Sequence, residues 1–302
     1  MLLSLTLPQL LAGLEKLLQA SDKAAIVGDS EYKMASLSTY SSLALWACGS
    51  DLSKQKYELQ TFIRRGLQHK HDMVTKCLLI QYSLVLQLMN TQQDCYSTYE
   101  YFQCSEDDLL LETHDKTGYG TCRLLCNKKA FMAMFSRDMV TAAQWLKARH
   151  KYPRGMNPRF IGAIYVEFME GLVALYFARQ QDNNAQNCIA LGEGVIETMK
   201  KWAASSDWNY SNKLHLLEAE YFFLKNDEAM AIEKYDMAIE AAHDHRFIHE
   251  EGLANTLAAN FHLYYKRKKE ALRHFNRAKS CYEYWGAMAL VNITEDEIKK
   301  KT

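Results

Sequence analysis

Apolar residues recur at spacings of three and four along almost the whole chain, and short polar stretches interrupt them. This is the pattern of one buried face on helix after helix. The clearest breaks are Gly28-Asp29, Gly49-Ser50-Asp51, Asn90 to Asp94, Ser136-Arg137-Asp138, Asn226-Asp227 and Arg267-Lys268. Each sets capping or turn-forming residues between two periodic stretches. The pattern predicts helices over 6–20, 29–48, 52–68, 72–89, 119–136, 138–150, 158–180, 184–204, 210–225, 228–243, 248–266 and 269–284. Pro153 and Pro158 mark a longer connection, because each disfavours helix at the residue before it. Thr91 to Gly118 is the least regular stretch, with Glu106-Asp107-Asp108 ahead of Leu109-Leu110-Leu111. It reads as a long connection with room for one short helix.

Helices of this length joined by short turns lie antiparallel to their neighbours. Internal repetition decides between a compact bundle and a stacked array. Ala231-Ile232, Tyr235 and Ala238 recur as Ala271-Leu272, Phe275 and Ala278, an offset of 40 residues throughout. A weaker copy is Thr141, Trp145 and Ala148. Positions i, i+4 and i+7 share one helical face. Two small residues around one ring let a neighbouring helix approach while the ring fills the gap. A helix rich in large apolar residues precedes each unit: Tyr221-Phe222-Phe223-Leu224, then Phe261 to Tyr265. Gly252, where Ala is expected, costs such a helix about 1 kcal/mol. The fold expected is all-α, a tetratricopeptide-like α-solenoid of antiparallel helix pairs; a generic helical bundle is the alternative. One array spans 1–302: N-terminal helix pairs over 1–90, the irregular connection over 91–118, the main array over 119–290 and a polar tail over 291–302.

Composition narrows the class. Three prolines and 13 glycines compare with about 36 of the two together at average usage, which argues against a β-sandwich, a barrel or a disordered linker. Lys plus Arg is 36 and Asp plus Glu is 36, so there is no electrostatic footprint for nucleic acid or an acidic membrane. The longest apolar stretch, Phe160 to Ala178, carries Glu167 and Glu170 and reads as a buried helix, not a membrane span. The start, MLLSLTLPQLLAGLEKLL, has no basic region ahead of its apolar residues and reads as an amphipathic helix. Eight irregularly spaced cysteines in a long chain are expected as free core thiols in a reducing compartment, with a cytoplasmic location.

Candidate chemistry is sparse. Cys122 and Cys126 share a helical face and, with His114, hold part of a zinc donor set, but a closed site needs four ligands. His243, His245 and His249 cluster at a helix junction. The His245-x-x-x-His249 spacing suits zinc, yet Arg246 stands where a metalloprotease carries its Glu. His69 and His71 read as solvated turn residues. Glu218, Glu220, Glu228 and Glu233 read as a solvated face, with the first two diverging. The 18 tyrosines read as core, and Lys266-Arg267-Lys268-Lys269 and Lys299-Lys300-Lys301 as a solvated turn and tail. No catalytic, cofactor-binding or metal-ligating residue is expected.

The stretches AIEKYDMAIEAAHDHRFIHEEGLANTLAANFHLYY (231–265) and EALRHFNRAKSCYEYWGA (270–287) resemble the tetratricopeptide-like helical region of large multidomain signalling proteins. GDSEY at 28–32, the stretch from Trp46 to Leu52 and FSRDMVTAAQWLKA at 135–148 extend the likeness to about residues 20–290. In that family the region follows a Ser/Thr-kinase-like domain and an AAA/STAND ATPase, and often precedes a GAF domain and a histidine kinase. This chain has no phosphate loop, no kinase catalytic loop and no histidine-kinase glycine boxes. The resemblance therefore implies a non-catalytic interaction scaffold, regulatory beside an ATPase or kinase module. Its partner is expected to be a peptide or a neighbouring domain, with neither nucleic acid nor membrane involved, and self-association through the array ends is a further expectation. Two alternatives stand beside it: a helical ligand- or metal-binding enzyme using the His243–His249 region, and a degenerate fragment of a larger signalling ATPase or kinase.

Overall fold

The computed structural model describes residues 7–46, 48–91, 119–152, 161–180 and 184–301. Among them there are thirteen α-helices and no strand. The helices are α1 (Leu7–Ile26), α2 (Ser30–Trp46), α3 (Leu52–Gln68), α4 (Asp72–Leu88), α5 (Tyr119–Phe135), α6 (Met139–Ala148), α7 (Ile161–Arg179), α8 (Ala185–Ser205), α9 (Asp207–Leu224), α10 (Glu228–Asp244), α11 (Ile248–Tyr264), α12 (Lys268–Trp285) and α13 (Met288–Lys301). A 3-10 turn, Arg149–Lys151, follows α6. The all-α expectation holds. The expected connection over 92–118, with His114, and both connection prolines lie outside the described residues.

One boundary is corrected. Residues 291–301, expected as a polar tail, form most of α13. Its outer positions are charged, but Leu290, Val291 and Thr294 are buried. Three inward positions at helical spacing are enough to dock a helix whose composition reads as polar.

The shortage of glycine has a structural counterpart at the turns. After α3, α4, α5, α9, α10 and α11 the chain turns through a left-handed residue that is not glycine: Lys70, Asn90, Arg137, Asn226, Arg246 and Lys266, with φ between 55° and 66°. Paired backbone bonds close each turn. After α9, Asp227 N–H donates to Phe222 C=O at 3.0 Å and Asn226 N–H to Phe223 C=O at 3.1 Å. This is the Schellman closure, which satisfies carbonyls that a helix end leaves unpaired. Asp51, Asp138 and Asp227 then start the next helices by accepting from the backbone N–H three residues on. An L-residue in the left-handed region is strained by about 1–2 kcal/mol, partly offset by the larger unfolded-state entropy of glycine. Lys70→Gly is therefore expected to stabilise the fold by about 0.5–1 kcal/mol. Urea unfolding reads it, and a destabilised variant would contradict the account.

The repeated positions are interior. Ala231, Tyr235 and Ala238 on α10, and Ala271, Phe275 and Ala278 on α12, are all buried. Gly252, an apparent defect in α11, is explained by its neighbour. A Cβ there would lie 2.6 Å from Cε1 of Tyr282, so the Tyr282 ring occupies the space of the missing side chain. A spine of rings then joins elements far apart in the chain. Trp46 (α2) meets Phe131 (α5) edge-on at 4.8 Å, Phe131 meets Tyr165 (α7) at 5.5 Å, and Phe135 (α5) meets Trp285 (α12) at 6.0 Å.

Candidate functional site

Lys213 near the start of α9 and Glu250 in the first turn of α11 form a buried ion pair at 2.7 Å. Asn212 also donates to Glu250, and the Lys213 ammonium lies 4.9 Å from the Phe247 ring centroid. A buried cation needs such a partner, because desolvating it alone costs far more than the pair returns. Beside the pair, His249 is fully buried, with Tyr165 stacked at 6.4 Å and Trp285 at 5.3 Å. Burial pushes its imidazole down to about 4, with Lys213 working in the same direction and Glu250 against it. Cys48, at the end of the α2 segment, is also buried, and its thiol is pushed up to about 12 for the same reason.

The turn between α2 and α3 seals this cluster. Gly49 lies over the His249 ring, where a Cβ would come within 2.2 Å of Nδ1, and its φ of 55° is left-handed. Trp285 Nε1 donates to the carbonyl of Ser50 at 3.2 Å, linking positions 235 residues apart. Arg137 and Glu297 add an ion pair at 3.4 Å. The N-terminal helices are thereby fastened to the last helices.

The three candidate histidines do not converge. His243 is exposed and pairs with Glu251 at 3.2 Å. His245 stacks on Trp208 at 4.2 Å. His249 points inward. Among the described residues, no three His, Cys, Asp or Glu side chains are grouped to hold a metal ion. Cys122 and Cys126 are both buried, and burial pushes the Cys126 thiol up to about 11. His69 is exposed, whereas His71 is half-buried.

The carboxylates require a second correction. Glu218 and Glu220 diverge as expected, but they are not a solvated face. Glu220 is buried and accepts from Arg179 (α7) and Tyr235 (α10). Glu218 is 2.8 Å from Lys234 (α10) and 3.5 Å from His215. Burial opposes the charge of Glu218, but hydrogen bonds from His215 and Lys234 prevail and hold its carboxyl down at about 2. Glu228 pairs with Arg267, and only Glu233 is fully exposed. The polar residues of α9 thus bind its neighbours, and no local spacing rule names partners 15 and 41 residues away.

At the opposite ends of the same helices a cleft of about 300 Å³ remains open, lined by Arg179 at the end of α7 and Gln180 just after it, Phe223 and Asn226 around the end of α9, and Asn260 and Tyr264 of α11. Tyr264 is 66% exposed, and its ring meets Phe223 edge-on at 5.2 Å. The Arg179 guanidinium lies 4.4 Å from the centroid of the Phe223 ring. The cleft therefore presents an aromatic wall, side-chain amides and a guanidinium. These groups suit a polypeptide side chain and its backbone.

No helix among the described residues is long and apolar enough to cross a membrane. No family model matches the chain, and no curated protein matches it.

Proposed function

We propose that this chain is a non-catalytic protein–protein interaction scaffold, built as a tetratricopeptide-like α-solenoid and acting in the cytoplasm. The observation that carries the reading is the cleft at the C-terminal ends of α7, α9 and α11, the first helices of three successive pairs. In helical arrays that face takes a peptide or a neighbouring domain. Here the N-terminal ends of the same helices are filled by the chain's own Trp46, Gly49 and Trp285, so the accepting surface is confined to the open half. The equivalence of α9–α10 with α11–α12 at an offset of 40 residues supports the array. Free cysteines, four of the six described ones buried, suit a reducing compartment. The resemblance to the helical region of multidomain signalling proteins supports a kinase or ATPase module as the regulated partner.

The test places a photo-crosslinking residue at Tyr264 in the cleft and, as a control, at Leu191, half-exposed on α8. A crosslink at 264 to a polypeptide bearing a kinase or ATPase domain, absent at 191, is the expected result. Equal capture at both positions, or none at 264, would overturn the cleft as the binding face.

A further inference from the structure

Two imidazoles lie face to face between α11 and α12. His262 and His274 are both buried, and their rings stack at 5.3 Å with planes 13° apart. Asn255 donates its side-chain amide to the Glu251 carbonyl at 3.0 Å. Its Oδ1 is therefore left to accept from His274 Nδ1, also at 3.0 Å, and this bond fixes the proton of the neutral ring on Nδ1. Nδ1 of His262 is buried without a hydrogen-bond partner.

The surroundings oppose a positive charge on either ring. Burial is the largest cause for both. The charged groups bearing on His274 are His262, Arg273 and Arg277, and all three act against its protonation. Those bearing on His262 are Arg267 and Arg273, which act against it, and Glu270 of α12 and Asp236 of α10, which act for it. Two stacked imidazolium rings would also repel each other. The packing of α12 on α11 thus requires both rings to be neutral.

The stack sits directly behind the cleft. Asn260 and Tyr264 of α11 line the cleft. They are four residues apart and share a helical face, whereas His262, two from each, points to the other side. We propose that the His262–His274 stack is an acid-operated release for the cleft: protonation parts α12 from α11, and the end of α11, losing that support, withdraws Asn260 and Tyr264. The inference rests on the cleft as the binding face and adds its regulation. In the open form each ring takes a proton at its ordinary value of about 6.5, so the closed form is fully favoured above that pH. Below it, each ring shifts the balance towards the open form by about tenfold per pH unit until the closed form also binds the proton.

The experiment is amide hydrogen exchange of the full chain at about pH 7.5 and about pH 5, expressed as protection factors so that the intrinsic pH dependence cancels. The expected result is a loss of protection along α12 of at least about tenfold, to a level below that of α9, so that α12 opens ahead of the whole chain. A fluorinated tyrosine in place of Tyr264 is expected to show a second fluorine resonance over the same interval. His262→Gln with His274→Gln, its fold checked by circular dichroism, is expected to abolish the loss along α12 and to leave any loss at residues 48–52, where His249 acts. An α12 that keeps its protection in acid, or loses it only in step with α9, overturns the inference in the parent chain, with no variant needed. An unchanged fluorine signal while α12 opens overturns it too. So does a loss along α12 that survives the double substitution, which assigns the opening to His249 beside Trp285. None of these measurements uses a partner, so they succeed or fail apart from the crosslink at 264, which decides whether the cleft is the binding face.

Discussion

Trp285→Ala is expected to lower stability by about 3–5 kcal/mol, the range for removing a fully buried large ring from a packed interior. Trp285 has no exposed surface, meets Phe135 and His249, and donates to the Ser50 carbonyl. The substitution removes the ring that holds the α2–α3 turn against the last helices. It also leaves the buried His249 ring beside a void. Trp285→Phe keeps most of the ring contact and loses the N–H bond, so its cost is expected to be nearer 1–2 kcal/mol, roughly a hydrogen bond plus some lost volume. Urea unfolding measures both, and amide exchange at residues 48–52 reports the seal itself. Faster exchange there in Trp285→Ala is expected. An Ala variant within about 1 kcal/mol of the parent would show that the two ends of the chain are not energetically coupled.

Acid is expected to produce the second large effect, and its sign follows from the buried imidazoles. His249 and His274 are both pushed down to about 4, chiefly by burial. Lys213 adds to the effect on His249, and His262, Arg273 and Arg277 add to it on His274. Their unfolded value is about 6.5. The fold accepts only the neutral rings, so their contribution is complete above about pH 6.5 and is lost as pH falls towards 4. Each ring accounts for about 3 kcal/mol over that window. Glu218, held at about 2, loses its contribution at lower pH, below the ordinary carboxylate value, and so does not confuse the assignment. Urea midpoints measured from about pH 7.5 down to about pH 4.2 should fall steeply. His274→Gln, which retains a hydrogen-bonding group facing Asn255 Oδ1, should make the fall shallower. A stability that stays level across the window would mean that the interior accepts charged imidazole.

Much of this architecture is legible one helical turn at a time. Asn226-Asp227 announces both the closure of α9 and the cap of α10, because the bonds involved reach only three to five residues along the chain. Ala231, Tyr235 and Ala238 are recognisable as interior because helical periodicity alone places them on one face. The polar residues of the inner face are different. Glu220 reads as solvated until Arg179 and Tyr235 arrive from other helices. Gly49 reads as an ordinary turn residue, yet its lack of a side chain is required by His249, 200 positions later. His245 and His249 have a metal-like spacing, but one stacks on Trp208 and the other turns into the core.

The sequence by itself therefore determined the helices, most of their turns and the repeated packing positions, since these depend on interactions within a few residues of one another. Only the tertiary structure decided that Trp285 reaches Ser50, that the polar residues of α9 and α11 pair inside the protein, and that an open cleft remains at one end of α7, α9 and α11. Those outcomes depend on which helices meet across 37 to 235 residues. Burial and partner, not local pattern, then decide whether a charged or aromatic side chain faces water or the core.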